Sequence, residues 1–133
     1  MKLAQEAYRK NSVPAALLQS IRLKNINATD LTGDGVIELI GNFEVGDKYT
    51  PHTLFLIAAK QDDTYQAELT WYHHAVEEAD YEARSFVDQL DLDGDGIDEV
   101  ISAGHYYEGG DYQIYKKQKG QWQVIYQGGG GGC

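Results

Sequence analysis

Asp91-Leu92-Asp93-Gly94-Asp95-Gly96-Ile97-Asp98-Glu99-Val100 decides the fold, because Asp30-Leu31-Thr32-Gly33-Asp34-Gly35-Val36-Ile37-Glu38-Leu39 has the same pattern 61 residues earlier. A second pair of landmarks follows in the same order: Tyr65-Gln66-Ala67-Glu68-Leu69 and, 57 residues on, Trp122-Gln123-Val124-Ile125-Tyr126. The difference between the two offsets falls between the landmarks, where a connecting loop can shorten without disturbing a core. Ordered self-similarity of this kind is the signature of a repeat architecture. The chain is read as two copies of one unit, residues 20–72 and 82–128, joined by a linker at 73–81.

Each copy predicts about four antiparallel strands, since the connections are too short for parallel crossovers. One strand enters the acidic loop, near Ile21–Ile26 and Ser85–Leu90, and one leaves it, Glu38–Phe43 and Glu99–Tyr106. A hairpin follows. Leu54-Phe55-Leu56-Ile57 is continuously apolar, as in a strand covered on both faces. Beyond a turn at Gln61–Thr64, two-residue alternation puts Tyr65, Ala67, Leu69 and Trp71 on one face. The second hairpin is Tyr112–Lys116 and Gln121–Gln127, turning at Lys119-Gly120, with Trp122, Val124 and Tyr126 on one face.

Residues 1–19 differ. Ala4, Ala7 and Tyr8 among Gln, Glu, Lys and Arg suit a short helix, and Pro14 starts a second turn through Ala15–Leu18. Ala75–Arg84 is also compatible with a helix. The expected fold is mostly β: two repeated antiparallel four-stranded, blade-like units with a short N-terminal helix. Two units cannot close a propeller. A fragment of a longer chain, a ring completed by other copies, and two sheets packed face to face all remain open. The last is favoured, with the helix covering an otherwise open edge or face.

Composition bounds the function. The 133 residues carry a formal net charge of −10, a field that repels phosphate backbones and anionic membranes. No apolar run reaches the ~20 residues of a membrane helix, and Met1–Glu6 lacks the apolar stretch of a secretory signal. The lone cysteine, Cys133, follows Gly128–Gly132 and reads as the end of a flexible tail at 129–133. No Gly-x-Ser-x-Gly nucleophile motif occurs.

The acidic loops carry the chemistry. Asp91, Asp93 and Asp95 alternate along a tight turn in which Gly94 and Gly96 permit positive φ. Three clustered carboxylates repel one another unless a cation neutralises them. A hard cation taking six to eight oxygens with tolerant geometry is calcium; magnesium, with its strict octahedron, fits less well. The carbonyl of Ile97 and the carboxylate of Glu99 add oxygens. The first loop offers Asp30, Thr32, Asp34, the carbonyl of Val36, and Glu38. Thr32 removes one negative charge, so weaker binding is expected there. The helix–loop–helix calcium motif requires an acid at loop position 12. Gly41 and Ser102 stand at that position, which argues against it.

The pattern resembles the calcium-binding repeat of the FG-GAP and VCBS type, the blade repeat of integrin alpha-chain β-propellers and of many secreted bacterial proteins. The resemblance implies calcium held by side chains at loop positions 1, 3, 5 and 9 and the carbonyl at 7. These are Asp91, Asp93, Asp95, Glu99 and Ile97 in one copy, and Asp30, Thr32, Asp34, Glu38 and Val36 in the other. Neither Phe-Gly nor Gly-Ala-Pro, the pairs that name the family, occurs.

Other signals are weaker. His73-His74 with Glu77 and Glu78 could offer only pairs across a helical turn, short of a zinc set. His105 reads as a strand-edge histidine, the tyrosines and tryptophans as core and sheet-face residues. Asn27-Ala28-Thr29 fits the glycosylation acceptor pattern. The expected function is a calcium-binding β-repeat domain, structural, adhesive or recognising, stabilised by two Ca2+ ions. It would be non-enzymatic and extracellular or periplasmic, with a protein or glycan partner and the capacity to self-associate. The alternative is an accessory module of a secreted hydrolase, or a small metal-dependent hydrolase.

Overall fold

A computed structural model describes residues 2–129. The flexible-tail reading of Cys133 and of residues 130–132 lies outside the described residues. Helix α1 (Lys2–Lys10) is followed by a 3-10 turn at Ala15–Ser20. Strands β1 (Arg22–Thr29), β2 (Glu38–Val45), β3 (His52–Gln61) and β4 (Thr64–His74) form one sheet. Strands β5 (Glu82–Leu90), β6 (Glu99–Tyr106), β7 (Gly110–Gln118) and β8 (Gln121–Gly128) form the other. Both sheets are antiparallel in sequence order. The repeat therefore extends from sequence to architecture. The length difference between copies lies in the β2–β3 connection (46–51) against the β6–β7 connection (107–109), and in β3 being one residue longer than β7.

Three layers stack in order: helix, first sheet, second sheet. On the outer side of the first sheet, Ala4, Ala7 and Tyr8 of α1 pack with Val13, Leu18, Phe43, Val45, Leu54 and Leu56. Residues at i, i+3 and i+4 share a helix face, which is why this short helix buries one stripe. Its end is set by Asn11, whose amide donates to the Ala7 carbonyl (2.9 Å), and by Ser12 at φ 62°. The Tyr8 hydroxyl donates to the His52 carbonyl (3.2 Å), fastening helix to sheet. Between the sheets, Ile40, Phe55 and Ile57 meet Val100, Tyr115 and Trp122, with Leu31 from the first loop. Thus β3 is the covered strand: Leu54 and Leu56 face the helix, Phe55 and Ile57 the second sheet, all at 3 % exposure or less.

Three expectations are corrected. Ala75–Arg84 is not a helix: a 3-10 turn occupies Glu78–Asp80, and β5 has begun by Glu82. Glu77, Glu78 and Asp80 stay in the connection, while Glu82, Ala83 and Arg84 pair with β6. The shared face of Tyr65, Ala67, Leu69 and Trp71 is broken by a β-bulge. Ile57 pairs with Leu69 but Ala58 with Ala67, so Glu68 is the extra residue. A bulge exchanges faces along the strand. Tyr65 accordingly packs on the helix side, and Leu69 and Trp71 pack between the sheets. The second hairpin has the same device: Ile114 pairs with Tyr126 and Tyr115 with Val124, leaving Ile125 extra. Trp122 therefore points to the first sheet and Tyr126 away from it. The bulged Glu68 is used as well, its Oε1 accepting from Lys117 Nζ and Trp122 Nε1, both at 3.1 Å.

One buried cation braces the second sheet. The Arg84 side chain is wholly buried; its Nη2 donates to Asp111 Oδ1 (2.6 Å) and Nη1 to Ser102 Oγ (3.3 Å), while its guanidinium lies 5.7 Å from the Trp71 ring centroid. Tyr106 donates to Asp111 Oδ2 (2.5 Å), and burial together with this bond pushes its phenol up to about 12. Gly104 makes room for the pair. A Cβ there would lie 2.7 Å from Arg84 Nη2 and closer still to Asp111 Oδ1. Gly104→Ala should therefore lower stability by about 1–3 kcal/mol through overpacking. Urea unfolding checks this, as a fall in midpoint with the slope unchanged.

Candidate metal centre

The two acidic loops are the β1–β2 and β5–β6 connections, each running from the end of one strand directly into its antiparallel neighbour. Strands on both sides leave no place for a helix–loop–helix site. Glycines at positive φ, Gly33 and Gly35 in one loop and Gly94 and Gly96 in the other, turn the chain back on itself.

The first aspartate of each loop organises the turn. Asp30 Oδ1 accepts from the amides of Gly33 (2.8 Å) and Thr32 (3.2 Å), and Oδ2 from Gly35 (2.8 Å). Asp91 does the same with Gly94 (2.8 Å), Asp95 (3.1 Å) and Gly96 (2.8 Å). The aspartate at loop position 5 accepts from the amide at loop position 7: Asp34 from Val36 (2.8 Å), Asp95 from Ile97 (2.9 Å). The closing glutamates are buried, and each accepts from the leucine amide after the first aspartate: Glu38 from Leu31 (2.8 Å), Glu99 from Leu92 (2.6 Å).

Carboxylate oxygens of Asp91, Asp93, Asp95 and Glu99 lie within 4.8 Å of one another, as do those of Asp30, Asp34 and Glu38. Thr32 belongs to the first site by its hydroxyl, which donates to Glu38 Oε1 (3.4 Å). The all-oxygen donor set suits a hard divalent cation. Acidic clusters of this kind are common without an ion, and charge alone does not assign one. The Gly35 amide foremost, then those of Gly33 and Thr32, hold the Asp30 carboxyl below the usual carboxylate range against the opposing effect of burial.

Three features were not visible in the sequence. The loops touch: the Asp98 amide donates to the Leu31 carbonyl (2.7 Å), and the Gln89 amide nitrogen holds the Asp98 carboxylate (2.8 Å). Leu31, 1 % exposed, roots the first loop in the inter-sheet core. The third is Lys116 of β7, whose ammonium is ion-paired with Asp93 Oδ2. No spacing within the loop could reveal a lysine that arrives from the third strand of the sheet.

The secondary candidates lie elsewhere. His73 Nε2 bonds the Asp80 carbonyl (2.7 Å), while His74 stacks on His52 at 3.7 Å between centroids. The pair is thereby pointed at different partners. His105 is not at a sheet edge: it lies on the interior strand β6, paired with Ala83 and Gly110, with its exposed ring bonded to Ser85 Oγ (3.0 Å). A scan against models of known families and searches of curated proteins and of solved structures return no match.

Two measurements test the electrostatics. In metal-free protein the Asp30 carboxyl should titrate below its model-peptide value of about 3.9. Carbon-detected NMR would show this, and a normal or raised value would contradict the amide cradle. Because its folded pKa lies below the unfolded one, the stabilisation is present above the unfolded value and is lost as pH falls through the folded one. Lys116→Met removes a cation that competes for Asp93, and should tighten divalent-ion binding at the second loop by about three- to tenfold, given a part-exposed pair. Calorimetric titration of the variant beside the wild type reads this directly.

Proposed function

We propose that this chain is a calcium-binding β-repeat module in which two Ca2+ ions fix the loop ends of its two sheets. It serves as a structural, adhesive or recognition domain rather than a catalyst, in an extracellular or periplasmic setting. The supporting observation is the equivalence of the loops. The same places in two sheets gather Asp91, Asp93, Asp95 and Glu99, and Asp30, Asp34 and Glu38, each set within 4.8 Å. One acidic turn has many structural explanations; two in register, each closed by a buried glutamate, are what a metal-supported repeat requires.

Asp91, Asp93, Asp95 and Glu99 would hold one ion with the Ile97 carbonyl. Asp30, Thr32, Asp34 and Glu38 would hold the other with that of Val36. The ion supplies neutralising charge, so that carboxylates repelling one another become a cross-link between the strands flanking each loop. The Thr32 loop, one charge poorer, is the weaker site. The resemblance to FG-GAP and VCBS repeats agrees with this assignment, and a protein or glycan partner belongs to the same proposal.

Ions that bind only the folded state stabilise it by mass action, about 1.4 kcal/mol per site at ten times the dissociation constant. Two sites correspond to a chelator-induced fall in Tm of about 10 °C, recovered by calcium. Calorimetry should count two ions in the wild type and one in Asp93→Ala. An unchanged melting curve with chelator, or no calcium uptake at millimolar concentration, overturns the proposal.

A further inference from the structure

The two sheets present equivalent faces, but among the described residues only one is covered. The first sheet meets the second through Ile40, Ile57 and Leu69, which lie in one cross-strand row, with Phe55 and Trp71 beside them. The same row recurs in the second sheet as Ile101, Ile114 and Tyr126, paired across strands in the same register. Phe55 corresponds to Tyr112, the partner of Ala103, as Phe55 is the partner of Asn42. Strand alternation fixes the direction of this second row. Its neighbours Val100 and Tyr115 point into the inter-sheet core, so Ile101 and Ile114 point outward. Neither hydrophobic cluster includes Ile101, Ile114, Tyr112 or Tyr126, and the two tyrosines are 44 % and 51 % exposed.

The opposite end of the stack is closed. The outer face of the first sheet carries α1 and the 3-10 turn, with Ala4, Tyr8 and Leu18 at 4 % exposure or less. A second copy cannot add there head to tail without displacing a packed helix. Copies with one capped and one open end can close only by joining open end to open end. The row that buries the first sheet recurs bare on the second, and a second copy brings a face that matches it in strand number, length and apolar character, as an isologous contact requires. A four-strand face of eight-residue strands projects about 500 Å² at ~4.8 Å between strands and ~3.3 Å per residue. Side-chain relief raises this toward the ~800 Å² per partner of a standard interface.

We propose that the face formed by Ile101, Ile114, Tyr112 and Tyr126 is the contact of a two-fold dimer, in which the second sheets of two copies pack face to face into a four-sheet stack. It does not depend on the calcium assignment. The opposing force is the charge of −10 on each copy, so association strengthens as salt screens it.

Sedimentation equilibrium of the full chain tests this at up to about 100 μM, with and without calcium, at about 0.15 M and about 0.5 M salt. The expected result is twice the chain mass, with tighter association at the higher salt. Tyr112→Lys with Tyr126→Lys, both at exposed positions, should weaken the dimer at least tenfold while the circular dichroism spectrum is kept. Val76→Lys, at a still more exposed site on the β4–β5 connection, should leave it intact. A monomer under all conditions, a mass growing beyond the dimer, or a dimer indifferent to the paired lysines would each overturn the proposal.

Discussion

Two buried carboxylates govern how this chain folds back at its acidic loops. Glu38 and Glu99 are 4 % and 2 % exposed, yet each stands in a group of aspartates. A buried charge is tolerated only where hydrogen bonds and opposite charge satisfy it. Here the amides of Leu31 and Leu92 supply the hydrogen bonds, and in doing so set the shape of the loop, because each amide belongs to the residue just after the organising aspartate. Loop closure and carboxylate burial are thus one event. What the backbone does not supply is positive charge. In the second loop the protein provides one cation of its own, Lys116 at Asp93, and in the first loop only the Thr32 hydroxyl takes the place of an acid. The two loops reduce their self-repulsion by different means, one by an added lysine and the other by a lost carboxylate.

The loops matter to the fold because they are not appendages. Leu31 sits in the inter-sheet core, and its carbonyl receives the Asp98 amide from the opposite loop. A change in one turn therefore reaches the other through a backbone hydrogen bond and a shared apolar cluster. At the far end of the sheets Thr53 Oγ1 donates to the Glu82 carbonyl (2.6 Å), and at the loop end Glu68 reaches Lys117 and Trp122. Polar ties at several points thus flank a buried centre of Ile40, Phe55, Ile57, Val100 and Tyr115. This arrangement fixes the rotation of one sheet on the other, which apolar packing alone specifies weakly.

Strand number, order and the acidic turns were legible in the sequence because each leaves a local trace. The apolar run Leu54–Ile57 announces a strand covered twice, and Pro14 marks the start of a turn. What was not legible depends on pairing. The Glu68 and Ile125 bulges reverse the face of Tyr65 relative to Leu69 and of Trp122 relative to Tyr126, and two-residue alternation carries no sign of an extra residue. Equivalent positions in both hairpins hold the bulge, so comparing the copies reveals it once register is known. Lys116 and Asp93 are joined only through the stacking order of β5, β6 and β7. The Ala75–Arg84 stretch has helix-forming composition, but β6 offers Glu82–Arg84 a paired edge, and tertiary pairing outweighs a few tenths of a kcal/mol of propensity.

Charge connects the two proposed properties of the molecule. Two copies at −10 each repel in proportion to the product of their charges, and two bound calcium ions, carrying four positive charges, would bring each copy to −6. The product then falls to about a third, so the same apolar face associates against a weaker field. Linkage makes the effect reciprocal: whatever calcium contributes to pairing, pairing contributes to calcium affinity. The coupling needs no conformational change, since it follows from net charge alone, and salt should therefore diminish it as the field is screened. A repeat that carries its acids on turns and its apolar row on an outward sheet face would thus let cation binding and self-assembly favour one another without sharing a residue.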